Sequence, residues 1–434
     1  MARICIIGAG AAGLSAIAQL RPAGHDVECF EKTDRVGGHW HTDYEALHLI
    51  TARDATHFED FPMPADYPHF PRRDQVRRYI ESYADHADLR RSIAFSTEVL
   101  SAEPVPAGDA PVGSAGWRVV TSRGDEGVFD ALVVANGHLW SPRIPEVPGT
   151  FTGTALHSSE YDNVGDLEGN RVLVVGAGNS GCDIAVDVAQ HRLEADVVVR
   201  KGIHFQPKMY FGVPRQQVPW LSEYTAAEQD LLARLLAKVA IGPNSAYPGL
   251  PEPESHDLAG GATTVNDLLL YWIQHGRVTV RPGIERFDGK TVHFSDGTSA
   301  EYDSIVYATG FDVALPFLDA DLLAGEAGVP RRYAGGILPE GAEKLYFVGL
   351  IAPRGPQIPI YGVQSKLVLD MIALQEQAGP LGMALANYFS VMQEAELRID
   401  IVRAIWEEQM RDTERLLRSL AATPAPVAAG SAGN

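Results

Sequence analysis

Two stretches of this chain share one glycine spacing, Gly8-Ala9-Gly10-Ala11-Ala12-Gly13 and Gly176-Ala177-Gly178-Asn179-Ser180-Gly181. Each comes after a short apolar run and opens a helix-forming one. The chemistry such a spacing serves is capture of a dinucleotide pyrophosphate. The first glycine permits the tight turn, the second lets backbone amides approach the phosphates, and the third lets the helix pack close on the strand. The phosphates would sit at the helix N-terminus, where free amides point and the dipole favours anions. The strands beyond the two turns end differently. After the first, the strand Asp26-Val27-Glu28-Cys29-Phe30 ends at Glu31, a carboxylate that suits a ribose 2′-hydroxyl and repels a 2′-phosphate. After the second, Val197-Val198-Val199 ends in Arg200-Lys201, cations that suit a 2′-phosphate. Arg200 can also be read as a solvated strand end.

The elements around these turns repeat as well. Asp130 to Gly137 (DALVVANG) is echoed by Asp303 to Gly310 (DSIVYATG), each a buried strand preceded by a hairpin, so the spacing predicts two dinucleotide domains. Within the first, Gly37-Gly38-His39-Trp40 is either an ordinary turn or a loop folded flat over a cofactor. The Pro- and aromatic-rich run from Phe58 to Pro71 predicts a rigid loop able to wall a pocket, and Arg73 to His86 predicts a helix with Val76, Tyr79, Ile80 and Tyr83 on its core face. Ser141 to Gly149 has the composition of a linker. The expected domains are 1–150 with 305–421 for the first dinucleotide and 151–304 for the second, with a helical and Pro-rich insertion at 201–276 and a disordered tail at 422–434. From Lys344 a strand and the helical run Val363 to Gln377 return the chain to the first domain. Leu381 to Leu420 predicts a helix whose stripe of Leu385, Phe389, Met392, Leu397, Ile401, Ile405 and Met410 serves as core or as the contact of a homodimer.

Composition narrows the function classes. With 434 residues, of which 45% are hydrophobic, the chain can build two or three full cores. Lys plus Arg number 36 against 56 Asp plus Glu, and the net charge of −20 argues against nucleic acid or an anionic membrane as partner. Only three cysteines occur, none in a CxxC pair, so a reducing cytoplasm is expected and a dithiol centre or metal cluster is not. A first strand starting at residue 3 leaves no room for a signal peptide, and no apolar run reaches membrane-spanning length.

Between the two domains, Phe151-Thr152-Gly153-Thr154-Ala155-Leu156-His157-Ser158-Ser159-Glu160-Tyr161 resembles the FxGxxxHxxxY fingerprint of the flavin-containing monooxygenases. The resemblance extends from Met1 to about Ile372 and includes Gly37-Gly38-His39-Trp40, Asp60-Phe61-Pro62, Ala308-Thr309-Gly310-Phe311 and Gln364. It implies an α/β fold of two doubly wound, Rossmann-like domains, the NADPH domain inserted into the FAD domain. It implies FAD at Gly8, Ala9, Gly10, Ala12, Gly13, Glu31, Lys32, Gly38, His39, Trp40, Thr51 and Gln364, and NADPH at Gly176, Gly178, Asn179, Ser180, Gly181, Arg200, Lys201, Thr309 and Gly310. His157 and Tyr161 would be interdomain structural residues or guides for the nicotinamide.

The implied activity takes a small-molecule substrate and dioxygen and transfers one oxygen atom to a soft nitrogen or sulfur nucleophile through a flavin hydroperoxide. The flavin carries the hard chemistry, so no side chain is assigned as acid, base or nucleophile. Two features depart from the family. Asp162 after the fingerprint is more like the related Baeyer–Villiger monooxygenases, though those carry Trp where Tyr161 stands, and Ile50 occupies the place of a flavin-side Asn. Baeyer–Villiger oxygenation of a ketone is the alternative, with Arg53 as its candidate cation. A non-catalytic sensor that binds both cofactors is the alternative of another class. The chain also lacks the hydrophobic C-terminal tail of the family's microsomal members.

Overall fold

The computed structural model describes residues 1–106, 114–258, 261–320, 323, 325, 326, 328–378 and 385–422. The first unit opens with β1 (Arg3–Ile7), α1 (Ala11–Leu20) and β2 (Asp26–Phe30), and continues through α2 (Arg73–His86) to β3 (Ile93–Ala94). An antiparallel sheet of β4 (Val99–Pro106), β5 (Ser114–Thr121) and β6 (Glu126–Phe129) precedes β7 (Ala131–Val134). All four residues of β7 are buried, as expected where helices cover both faces of a parallel sheet and the strand reads as one apolar run.

The second unit repeats this plan. It begins with β8 (Thr154–His157), β9 (Arg171–Val175), α3 (Asn179–Gln190) and β10 (Glu194–Val198). An insertion then supplies β11 (His204–Gln206), the short hairpin β12 (Met209–Tyr210) and β13 (Val213–Pro214), α4 (Ala226–Ile241) and β14 (Thr263–Val265). Next come α5 (Leu268–Gln274), β15 (Val278–Arg281), the antiparallel sheet β16 (Ile284–Asp288), β17 (Thr291–Phe294) and β18 (Ser299–Glu301), and β19 (Ser304–Tyr307). The parallel sheet runs β15-β10-β9-β19-β8. Two boundaries therefore move. The expected break at 305 falls inside β19, whose register with β8 and β9 places it in the second sheet. The insertion expected at 201–276 stops before α5, because α5 packs on α3 and is the crossover that returns the chain to β15.

Beyond β19 the chain rejoins the first unit. Two short hairpins, β20 (Gly325–Glu326) with β21 (Val329–Pro330) and β22 (Arg332–Tyr333) with β23 (Leu338–Pro339), lead to β24 (Leu345–Phe347). The first sheet is then β24-β7-β1-β2-β3. β24 and β8 occupy the same position beside the return strand of their sheets, although one comes from after its unit and the other from before it. After β25 (Ala352–Pro353), helix α6 (Ile358–Ala378) packs against α1.

The stretch expected to be one helix from Leu381 to Leu420 is broken. Residues 381–384 lie outside the described residues, α7 (Leu385–Ser390) is short, and β26 (Asp400–Ile401) pairs with β25 before α8 (Arg403–Ala422) begins. Leu397, Ile399 and Ile401 alternate with Arg398 and Asp400, and this period of two wins because a strand edge is available to pair with it. Met392 and Ile405, counted in the helical stripe, are exposed. Ala422 belongs to α8, and the rest of the expected tail, 423–434, lies outside the described residues. No helix among the described residues is long and apolar enough to cross a membrane. Cys5, Cys29 and Cys182 are free and buried.

The C-terminal segment is anchored by Arg332, which is fully buried. Its guanidinium donates to the carbonyls of Pro330 (3.0 Å), Arg398 (2.8 Å) and Leu350, and burial lowers its pKa to about 10. Arg332→Met would strand three buried carbonyls, each costing roughly 1–3 kcal/mol, offset in part by relief of a buried charge. The expected net loss in a denaturant titration is about 3 kcal/mol.

Candidate active site

The glycines of each turn divide by what stands next to them. A Cβ at Gly8 would meet the Ala135 carbonyl oxygen at 2.8 Å, and one at Gly13 would meet the Gly8 carbonyl oxygen at 1.9 Å. In the second unit, Gly176 would meet Ala308 O at 2.6 Å and Gly181 would meet Gly176 O at 2.0 Å. These four are required by strand and helix packing. The middle glycines are different. A Cβ at Gly178 would meet nothing within 4 Å, and one at Gly10 would reach only Gly38 Cα, at 4.0 Å. Both middle positions face open space at a helix N-terminus, so the residues present fit a pyrophosphate at each turn.

The strand ends differ as their residue types require. Glu31 is 6% exposed. One carboxylate oxygen accepts from the Ala9 amide (2.8 Å) and the other from the Thr33 amide (2.9 Å) and hydroxyl (2.8 Å). Arg200 and Lys201, by contrast, are exposed at the end of β10, and neither has an ion-pair partner among the described residues. The Gly37-Gly38 segment folds onto the first turn, with the Gly37 amide donating to Ala9 O (3.1 Å). His39 is held by Asp43 (2.5 Å), which raises its pKa against the opposing effect of burial, and its ring stands 5.1 Å from that of Trp40. Lys32 lies over the Trp140 ring at 4.5 Å.

Other expected contacts have partners within the protein. Gln364 is fully buried and its amide is committed to backbone, accepting from Gly349 N (2.9 Å) and donating to Gly335 O (3.1 Å). Gly349 in turn abuts α1, since a Cβ there would meet Ala12 Cβ at 3.0 Å. Gln364 thus supports the first turn from behind. Thr51 is buried, with its hydroxyl paired to that of Thr56 (2.7 Å), while Ile50 is half-buried. Asn179 accepts from the Val265 amide (3.0 Å), tying the second turn to β14. Ser180 lies against the Tyr44 hydroxyl. Thr309 bonds the Arg143 carbonyl, and Gly310 O accepts from the Arg143 amide (3.0 Å).

The fingerprint residues are structural in their contacts. His157 Nε2 contacts Gly310 O (3.0 Å), its Nδ1 contacts Ser159 Oγ (2.9 Å), and Tyr161 donates to Asp187 on α3 (2.6 Å). The remaining departure, Asp162, pairs with Arg73 and accepts from the Glu45 amide through its carbonyl (2.7 Å), both across the junction between the units. Arg53 donates to Ala65 O (2.5 Å), to Tyr67 O and to Asp54 (3.0 Å), so its guanidinium is committed to its own loop.

Two features were missed in the sequence. His138, just past β7, bonds the Gly349 backbone, and burial lowers its pKa to about 4, so it is neutral at physiological pH. At the junction, Asp183, one turn into α3, accepts from Tyr44 (3.1 Å) and Asn266 (2.9 Å), with Lys208 and His48 in contact beside it. Burial raises the Asp183 pKa, opposed by His48 and Lys208, and lowers that of Lys208, opposed by Asp183. The available signal was an acid inside the apolar run Cys182 to Ala189.

A family model described as flavin-binding monooxygenase-like matches residues 1–377. Flavin-containing monooxygenase 3 of Oryctolagus cuniculus is 30% identical over 403 residues, which is 85% of this chain and 73% of that protein. Dimethylaniline monooxygenase (N-oxide-forming) 2 of Macaca mulatta is 31% identical, over 84% of this chain and 72% of that protein. Among solved structures, a flavin-containing monooxygenase from Stenotrophomonas maltophilia aligns with a TM-score of 0.65 at 21% identity, covering 86% of this chain and 98% of that one. A cyclohexanone monooxygenase from Rhodococcus sp. Phi1, bound to NADP⁺, aligns with a TM-score of 0.69 at 20% identity, covering 97% of each chain. At these identities the two structures show a shared fold.

The division among the glycines generates a paired prediction. Gly178→Ala should leave the fold intact, because its methyl group enters open space, yet weaken NADPH about tenfold or more by blocking phosphate approach. Gly181→Ala should instead cost about 2 kcal/mol or more in stability by overpacking. Thermal unfolding and NADPH titration of both variants check this.

Proposed function

The chain belongs to the flavin-binding monooxygenase-like family, and we propose that it uses NADPH and dioxygen to place one oxygen atom on a soft nitrogen or sulfur nucleophile. The balance is NADPH, a proton, dioxygen and an amine or sulfide in, and NADP⁺, water and the N- or S-oxide out. Bound FAD would supply the redox and oxygen chemistry that no side chain here can supply. The protein's share is binding, orientation and exclusion of water. Gly10, Gly38 and the α1 N-terminus offer the cradle for the FAD pyrophosphate, and Glu31 stiffens it by gripping Ala9 and Thr33. Gly178 and the α3 N-terminus offer the cradle for NADPH, with Arg200 and Lys201 beyond it. Neutral His138 adds no charge beside the first cradle.

The observation that carries the cofactor reading is the contrast between the strand ends: a buried, hydrogen-bonded carboxylate at Glu31 and an exposed cation at Arg200, without an ion-pair partner among the described residues. For the substrate class, the support is the N-oxide-forming relative at 31% identity and the commitment of Arg53 to loop carbonyls. A Baeyer–Villiger reaction gains from a cation beside the reacting oxygen, and Arg53 is not free to serve. A panel of amines, sulfides and ketones, scored for oxygenated product and for released peroxide, tests this. Oxides from amines or sulfides are expected; esters from ketones alone would overturn the reading, and no NADPH turnover at all would favour a sensor.

A charge-assisted bond to phosphate contributes roughly 1.5–3 kcal/mol, or about ten- to a hundredfold in affinity. Arg200→Ala should weaken NADPH by that factor and leave NADH nearly unchanged, as read from KM for each cofactor.

A further inference from the structure

A half-buried cation stands in the insertion, and no carboxylate among the described residues forms an ion pair with it. The β12–β13 hairpin runs into a single helical turn, Arg215–Gln217, whose first amide donates back to Lys208 O (3.0 Å). Arg215 Nη1 is inaccessible to solvent and has no hydrogen-bond partner, and no carboxylate among the described residues pairs with this side chain. Burial holds its pKa below the usual arginine value, opposed by Tyr210 and helped by repulsion from Arg354. An arginine stays charged in proteins, and a buried donor left without an acceptor is costly. Unlike Arg332, whose donors are taken by three carbonyls, Arg215 keeps a buried N–H open to an acceptor.

The turn lies where the two units meet. Lys208 contacts His48 of the first unit, Gln217 reaches the Asp54 carboxylate, and Arg354 bonds Leu258 O and Gly261 O (3.3 Å) of the insertion. Arg215 therefore lies near Arg354, on a turn whose neighbours Lys208 and Gln217 reach His48 and Asp54 of the first unit. Neighbouring cations are already engaged: Arg354 with Asp400 (2.7 Å), Arg53 with its loop, and Arg73 with Asp162. The dinucleotide phosphates have their own places at Gly10, Gly178 and Arg200, on turns that do not include Arg215.

We propose that Arg215 anchors a carboxylate on the substrate, so that the nucleophile oxygenated here is a carboxylate-bearing sulfide or amine rather than a neutral one. The planar guanidinium fork matches a carboxylate in two parallel hydrogen bonds. The proposal deepens the N- or S-oxygenation reading and rests on it for the reacting atom.

The test uses the FAD-loaded full chain and two probes of matched shape, 3-(methylthio)propanoate and its amide. The wild type should favour the acid about tenfold or more in kcat/KM, and Arg215→Met should reduce that ratio by about tenfold or more, with Arg215→Lys between. A binding arm needs no turnover: with NADP⁺ present, the acid should raise the Tm of the wild type and not of Arg215→Met, with FAD content reporting that the variant is folded. Equal handling of acid and amide by the wild type overturns the proposal, as does a variant that keeps the ratio and instead raises KM for NADPH. If neither sulfide and no amine is oxygenated, the activity reading fails, and the Tm arm still decides for or against Arg215.

Discussion

A methyl group at Gly13 would stand 1.9 Å from the Gly8 carbonyl oxygen, and one at Gly181 would stand 2.0 Å from that of Gly176. This close approach of a helix to its own entering strand fixes the rest. It brings the N-termini of α1 and α3 to the ends of β1 and β9, leaves the middle glycines facing open space, and sets the end of the next strand against each turn, with Gly8 N bonded to Phe30 O and Gly176 N to Val198 O. Each unit wraps one all-parallel five-stranded sheet around that contact, and β7 and β19 return beside β1 and β9 to meet the turns through Ala135 and Ala308.

The second constraint is the junction between the units. Asp183 sits one turn into α3, so whatever holds its carboxylate also holds the second cradle. Tyr44 comes from the first unit, Asn266 from the approach to α5, and the Lys208–His48 contact crosses the junction beside them. A buried acid shared by three segments specifies one arrangement, because any other would leave it desolvated and unpaired. The fingerprint segment adds to this lock, with Tyr161 on Asp187 and His157 on Gly310. Its place near the domain boundary follows from this packing.

What the sequence made legible depends on how narrowly a position is constrained. The glycine turns and the Glu31 and Arg200 contrast could be read because backbone geometry and charge there leave few residue types. Buried strands such as Ala131–Val134 and Ser304–Tyr307 could be read because a sheet covered on both faces requires a continuous apolar run. The C-terminal segment was misread because its apolar spacing fits a helix in one window and a strand in the next, and only the edge at Ala352–Pro353 decides between them. The backbone bonds of Gln364, and the settings of Arg215 and His138, escaped notice for a common reason. Burial and hydrogen-bond partners come from segments far away in the chain, which local pattern does not encode.

The central claim is that one chain holds FAD and NADPH on two similar cradles so that the second can reduce the first. Anaerobic titration of the purified yellow protein with NADPH tests it most directly. The expected result is about one FAD per chain and bleaching of its visible absorbance by a single equivalent of NADPH, with much slower bleaching by NADH. A protein that cannot be reconstituted with FAD, or whose bound FAD is not reduced by NADPH, would contradict it.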